Sequence, residues 1–217
     1  MSPDDRYDVS SLTEAQFEPG SDGRVLKNLC SIKTSAEMDV AEASALIKVM
    51  DRLVRMYDEA HCFTAGDVCG FHRLWLGDIY AWAGECRQVN VSKGDFLFAV
   101  AARIPALMDE FERDVLARCT PCNFTTRAEV VRVLAEAHVE LVLIHPFREG
   151  NGRLARVLST LMALQAGLPL LDFSSITGEK KEGYFAAVRA GLDRNYQPME
   201  EVFAEVIEQS VAESSRA

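Results

Sequence analysis

The sequence predicts a compact all-α fold of about seven or eight helices carrying one small β-hairpin. Apolar residues recur at three- and four-residue steps over most of the chain, the pattern of helices that bury one stripe. Only between Cys86 and Phe98 does the period fall to two. Length and composition agree with a folded domain: 217 residues, 48% hydrophobic and 26% charged, can bury a sizeable core without disulfide or metal staples.

Residues 1–37 read as an N-terminal arm packing on the core, polar and interrupted by Pro3, Pro19, Gly20 and Gly23. The main domain is expected over 38–200. It opens with a long helix whose apolar stripe runs Val40, Ala43, Leu46, Ile47, Met50, Leu53, Val54 and Tyr57, with Asp39 as N-cap. A second helix from about Thr64 turns Val68, Phe71, Leu74, Trp75 and Ile79 inward and stops at Ala83-Gly84. In the hairpin, over about 86–98, Val89 and Val91 alternate against Gln88 and Asn90. Lys93-Gly94-Asp95 makes the turn, and Phe96 and Phe98 follow. Helical spacing resumes over about 99–116 and 126–144, parted by Pro121, with Thr125 or Thr126 as cap. It returns over about 151–165, where Gly167 stops it, and again near 181–192 and 198–214; residues 201–217 are the end of the last helix and a tail. Trp75, Trp82, Phe71, Phe96, Phe98 and Phe111 are assigned to packing.

A formal charge of -10 excludes broad electrostatic capture of nucleic acid or anionic membranes, so any phosphate site must be local. No apolar run approaches the ~20 residues of a membrane-spanning helix. Met1 to Asp5 lacks the basic-then-apolar layout of a signal peptide, which makes a cytoplasmic protein the expectation. Six scattered cysteines are then expected as reduced thiols. Cys119 and Cys122 have the spacing of a redox pair or half a zinc site, but no second pair follows them. His138 could share a helix face with His145, yet a two-histidine metal site wants a third ligand, and packing is the simpler reading.

The chemistry concentrates in His145-Pro146-Phe147-Arg148-Glu149-Gly150-Asn151-Gly152-Arg153, with Arg156 one turn further on. Pro146 pushes His145 out of the α region, so the histidine sits at a helix exit. Gly150 and Gly152 let consecutive backbone N–H groups approach an anion, and Asn151 is a good N-cap for the next helix. The positive end of that helix, with Arg153 and Arg156, makes a polyphosphate cradle. Glu149 offers the hard oxygen that Mg²⁺ uses when it bridges nucleotide phosphates. His145 can take a proton from an incoming hydroxyl, which points to nucleotidyl or phosphoryl transfer. A helix C-terminus favours protonated histidine and opposes that role unless Arg153, Arg156 and a metal push the pKa down. Local physics equally allows a plain interhelical turn, with glycine and asparagine as caps and solvated arginines.

The pattern His145-x-Phe147-x-Glu149-Gly150-Asn151-Gly152-Arg153-x-x-Arg156 resembles the Fic-domain motif H-x-F-x-[D/E]-G-N-G-R-x-x-R at every specified position. Upstream, Tyr80 to Glu85 with Arg87 and Ser92-Lys93-Gly94 resembles the lead into that family's flap hairpin, and Val25 to Asn28 looks like the start of bacterial Fic toxins. The resemblance implies the Fic fold and a protein adenylyltransferase, or AMPylator, which moves AMP from ATP to a Tyr, Thr or Ser hydroxyl and releases pyrophosphate. By matching position it implies His145 as base, Glu149 as Mg²⁺ ligand, and Gly150, Asn151 and Gly152 as anion hole. Arg153 and Arg156 would contact the triphosphate, Phe147 would anchor the loop, and Lys93 and Gly94 of the flap would border the nucleotide. The target protein would dock on the hairpin's edge. Gly152 favours AMP transfer over kinase-like or other nucleotide chemistry on the same fold; a non-catalytic binding module is the reading outside enzymes. The family's inhibitory pattern [S/T]-x-x-x-E-[G/N] has no full match, since Ser10 to Glu14 is followed by Ala15 and Ser175 to Glu179 by Lys180. That implies a toxin restrained by a small separate antitoxin, which would supply a glutamate to Arg156.

Overall fold

The computed structural model describes residues 11–216. Its helices are α1 (Ser35–Met56), α2 (Ala65–Leu76), α3 (Ile104–Phe111), α4 (Ala117–Cys119), α5 (Arg127–Ile144), α6 (Asn151–Gln165), α7 (Gly178–Ala190) and α8 (Gln197–Ser214). Two short strands, β1 (Ser92–Lys93) and β2 (Phe96–Leu97), pair antiparallel with Ser92 opposite Leu97 and Lys93 opposite Phe96. This is the all-α fold with one hairpin that the periodicities predict. Among the described residues no helix is long and apolar enough to cross a membrane.

Local chemistry explains where the helices begin. Thr64 and Thr126 each accept the N–H of the third helical residue, Asp67 or Glu129, whose carboxylate accepts the threonine N–H in return. α1 starts at Ser35, inside the stretch assigned to the arm, because Thr34 accepts the Glu37 N–H; Asp39 lies within the helix and is not its cap. The segment read as one helix over 99–116 is a 3-10 turn (Ala101–Arg103), then α3, then a π-helical turn (Glu112–Leu116) that leads into α4.

α5 is the central helix, with eleven of its 18 residues buried, and it packs against α6 and α8. α1 lies against α2 and α6 by the face that carries Met38, Glu42, Val49 and Leu53. The stripe expected for α1 is therefore partly wrong: Val40 is 69% exposed and Ile47 71%. Two apolar stripes wind along this helix, and the one facing the core includes a carboxylate.

The hairpin is shorter than the 86–98 alternation suggests, because Arg87, and not a strand ladder, holds its foot. Arg87 is buried and donates from its side chain to the carbonyls of Val89 at 2.7 Å, Ala99 at 2.6 Å and His145 at 2.7 Å. One guanidinium thus ties both ends of the hairpin to the exit of α5. Its five donors in a fixed fork suit it to three backbone acceptors at once.

Candidate active site

His145 ends α5 in the left-handed conformation, φ 52° and ψ 59°, as the following proline requires it to leave the helix. Its Nδ1 lies 3.1 Å from the Val142 carbonyl, an acceptor only, so Nδ1 carries the proton and Nε2 is the basic nitrogen. The Phe98 ring stacks on the imidazole with centroids 3.6 Å apart. Burial lowers the His145 pKa to about 4 against the hydrogen bond to Val142, helped by the charges of Arg87 and Lys93. The cations that oppose protonation are thus on the hairpin, and not the Arg153 and Arg156 of the sequence argument.

The loop after His145 is held from three directions. Phe147 is fully buried and stacks on His72 at 3.9 Å between centroids. His72, read from sequence as an ordinary helix side chain, accepts the Gly84 N–H at Nδ1, 2.8 Å away. Its Nε2 therefore carries the proton and donates to the Glu149 carbonyl at 3.1 Å. Asn151 is not the N-cap. Gly150 takes that place at φ 81°, and Asn151, the first helical residue, turns inward and clamps the Phe147 backbone, accepting its N–H at 2.8 Å and donating to its carbonyl at 2.7 Å. A Cβ at residue 150 would stand 2.7 Å from the Trp75 ring, whereas one at residue 152 would meet no atom of the chain within 4 Å. Only Gly150 is demanded by the fold itself.

The first turn of α6, whose N–H groups have no partner within the helix, opens on a cleft of about 1300 Å³. The hairpin forms one wall with Lys93, Gly94 and Phe96; α7 forms another with Lys181, Tyr184 and Phe185; His145, Glu149, Gly150, Asn151, Gly152, Arg153 and Arg156 line it as well. Every residue singled out at the site except Phe147, which lies beneath it, therefore borders one cavity. The Lys93 ammonium sits 3.8 Å from the centre of the Phe185 ring, bridging hairpin and α7. Arg153 donates to Glu42 at 2.6 Å and reaches Glu149 at 3.4 Å. Arg156 lies 5.3 Å from the Phe173 ring and 5.5 Å from Tyr184, and its Nε is buried with no hydrogen-bond partner. Among the described residues Arg156 forms no ion pair, and Glu14 is elsewhere, accepting the Gln88 N–H at 2.6 Å.

Beneath Arg156 the packing reading of His138 holds. Ser159 spends its hydrogen on the Ala155 carbonyl at 2.9 Å, so its oxygen accepts from His138 Nδ1 at 3.1 Å; His138 Nε2 then accepts the Tyr184 hydroxyl at 2.8 Å. Burial pushes this histidine down to about 3, and the Arg156 charge adds to it. Cys119 and Cys122 are buried thiols raised by burial to about 11 and 12, which suits packing and not redox exchange. Reading the sequence assigned no function to Glu42, His72 and Phe98, and met Arg87 only through the family likeness. Glu42 alone left a usable signal, a charge four residues from Met38 on the core face of a helix.

Comparison with known proteins bears on this geometry. Residues 62–163 match the Fic/DOC family. The probable protein adenylyltransferase Fic of Escherichia coli (strain K12) is 30% identical over 144 residues, 64% of this chain and 67% of that protein. The chain belongs to the Fic/DOC family. Its Fic fold is similar to that of BepC, a VirB-translocated effector of Bartonella tribocorum with bound AMPPNP, at a TM-score of 0.71 and 22% identity, covering 90% of this chain and 97% of that one. A Bep effector of Bartonella quintana with bound ADP is similar at a TM-score of 0.67 and 25% identity, over 83% and 89% of the two chains.

Proposed function

We propose that this Fic/DOC chain is a protein adenylyltransferase that moves AMP from ATP to a Tyr, Thr or Ser hydroxyl of a target protein. The observation that carries the reading is His145 Nε2, an unprotonated base at the rim of the cleft into which the α6 N-terminus, Arg153 and Arg156 also face. The name of the Escherichia coli relative supports the same activity.

In this reading the triphosphate lies against the first turn of α6, where partial positive charge and backbone donors favour an anion. Gly152 keeps that turn open to the ligand, since the chain itself has no need of glycine there. Arg153 and Arg156 offset the phosphate charge. The target segment aligns along the hairpin beside Lys93 and Gly94, so that its hydroxyl faces the α-phosphorus. Nε2 of His145 accepts the hydroxyl proton as the new O–P bond forms, and the bond from the α-phosphorus to pyrophosphate breaks.

Glu149 fits Mg²⁺ in the way that ion uses nucleotides. Among the described residues no three His, Cys, Asp or Glu side chains cluster as a self-sufficient metal site, and Glu149 is a single, 46% exposed carboxylate that needs phosphate oxygens to complete a shell. The ion, when bound, supplies charge neutralisation on the phosphates. That no carboxylate among the described residues pairs with Arg156 supports restraint by a separate small antitoxin that brings a glutamate to it. Six free thiols support a cytoplasmic setting.

The test is incubation of the chain with Mg²⁺, cell lysate and ATP labelled separately on the α- and γ-phosphates. Label is expected to pass from the α-phosphate alone and to be lost in His145→Ala. Transfer from the γ-phosphate overturns the reading in favour of kinase-like chemistry, and no transfer from either favours a binding module.

A further inference from the structure

Glu42 is 3% exposed, on the inward face of α1 and 103 residues ahead of His145. Burying a carboxylate is unfavourable unless it is paired and hydrogen-bonded. Glu42 is both. Arg153 donates to its Oε2 at 2.6 Å, and the buried Tyr80 hydroxyl donates to its Oε1 at 2.7 Å. The backbone carbonyl of Glu42 accepts the Trp75 indole N–H at 2.9 Å, and the Arg153 guanidinium lies over the same indole, 4.8 Å from its centre.

Arg153 has a second carboxylate within reach. Glu149 stands one turn before it, at the i,i+4 spacing that pairs opposite charges on a helix surface, and its Oε1 is 3.4 Å away. The same guanidinium nitrogen donates to both carboxylates, but the bond to Glu42 is the shorter, at 2.6 Å against 3.4 Å, and Glu42 is the more buried partner. Glu149 keeps an exposed carboxylate, one oxygen of which accepts the Gly150 N–H at 2.8 Å.

We infer that Glu42 is a positioning residue for nucleotide binding: it draws Arg153 toward α1 and Trp75 and keeps its bond to Glu149 long, so that the Glu149 carboxylate is left largely open to the nucleotide and its cation. The inference deepens the proposed adenylyl transfer and rests on its reading of Arg153 and Glu149. Without the Glu42 charge, the long Arg153–Glu149 bond closes to a full ion pair, and each side chain quenches the other.

The experiment measures binding of AMPPNP with Mn²⁺ by calorimetry, in the absence of any transfer, to the full chain and to Glu42→Gln, Arg153→Ala and the double variant. Glu42→Gln keeps size and hydrogen bonding while removing the charge, and is expected to weaken binding roughly tenfold, as loss of a supporting partner does at metal sites. In the Arg153→Ala background the same change is expected to cost nothing further, because there is no guanidinium left to place. Multiplying effects, or unchanged binding in Glu42→Gln, overturn the inference. Tyr80→Phe, which frees only one Glu42 oxygen, runs through the same cycle and decides the matter should Glu42→Gln not fold. Because binding alone is read, an intact cycle alongside absent AMP transfer would leave the positioning role standing and remove only the proposed chemistry.

Discussion

At the scale of single residues, three histidines are kept neutral by burial, and for different purposes. His72 and His138 are buried members of hydrogen-bond chains, at about 4 and 3, whereas His145, also at about 4, lines the cleft. All three folded values lie below the ordinary histidine value of 6.5. Between pH 6.5 and 4 the unfolded chain therefore binds more protons than the folded one. Their contribution to stability is fully present above pH 6.5 and is lost as pH falls through about 4. Urea midpoints measured from pH 7.5 to 4.5 should fall on the acid side, and more steeply than in His138→Asn, which removes one of the three protonation sites. The same displacement sets catalysis. A base at about 4 stays unprotonated through neutral pH, so the acid limb of kcat/KM for AMP transfer should lie well below pH 6; an inflection near 6.5 would mean that the pocket does not lower His145.

At the scale of elements, the hairpin owes its place to Arg87 more than to its own ladder. The strands are two residues each, and a short isolated hairpin is marginal in water. Arg87→Met keeps much of the buried volume but leaves the carbonyls of Val89, Ala99 and His145 without that donor. The expected cost is about 2–4 kcal/mol, from three unmet, partly buried acceptors, with hydrogen exchange rising over 88–99 and at His145 together. Exchange that rises in the hairpin alone would show that Arg87 does not couple the two. The helices were legible because their start signals are local: Thr64 with Asp67, and Thr126 with Glu129, can be read within four residues. The face of α1 was not, since Val40 and Ile47 keep the same helical spacing as the residues that pack, and only contact with α2 and α6 chooses between them. The π-helical turn after α3 left no mark in the apolar periodicity either.

At the scale of the whole molecule, the site was legible where it is contiguous and hidden where the fold assembles it. The loop from His145 to Arg156 could be read in one glance along the chain, but its supports come from α1, α2, the hairpin and α7. The same distance in sequence governs restraint. Ser10 lies outside the described residues, but Glu14, which shares its near-match to the inhibitory pattern, is built into another contact. It is buried, its carboxylate accepts the Gln88 N–H at 2.6 Å, and its carbonyl accepts from Arg148 at 3.1 Å, so it braces the hairpin's foot against the motif loop. An inhibitory carboxylate would have to reach Arg156, whose buried Nε has no partner among the described residues. Glu14→Ala should therefore leave AMP transfer by the isolated chain within about twofold of the parent while lowering stability by about 1 kcal/mol, the value of one hydrogen bond. A rise of tenfold or more in transfer would make Glu14 an internal inhibitor and remove the case for a separate antitoxin. A parent chain already active alone, and no more active after the substitution, means that residues 1–217 do not restrain Arg156 themselves, as the antitoxin reading expects.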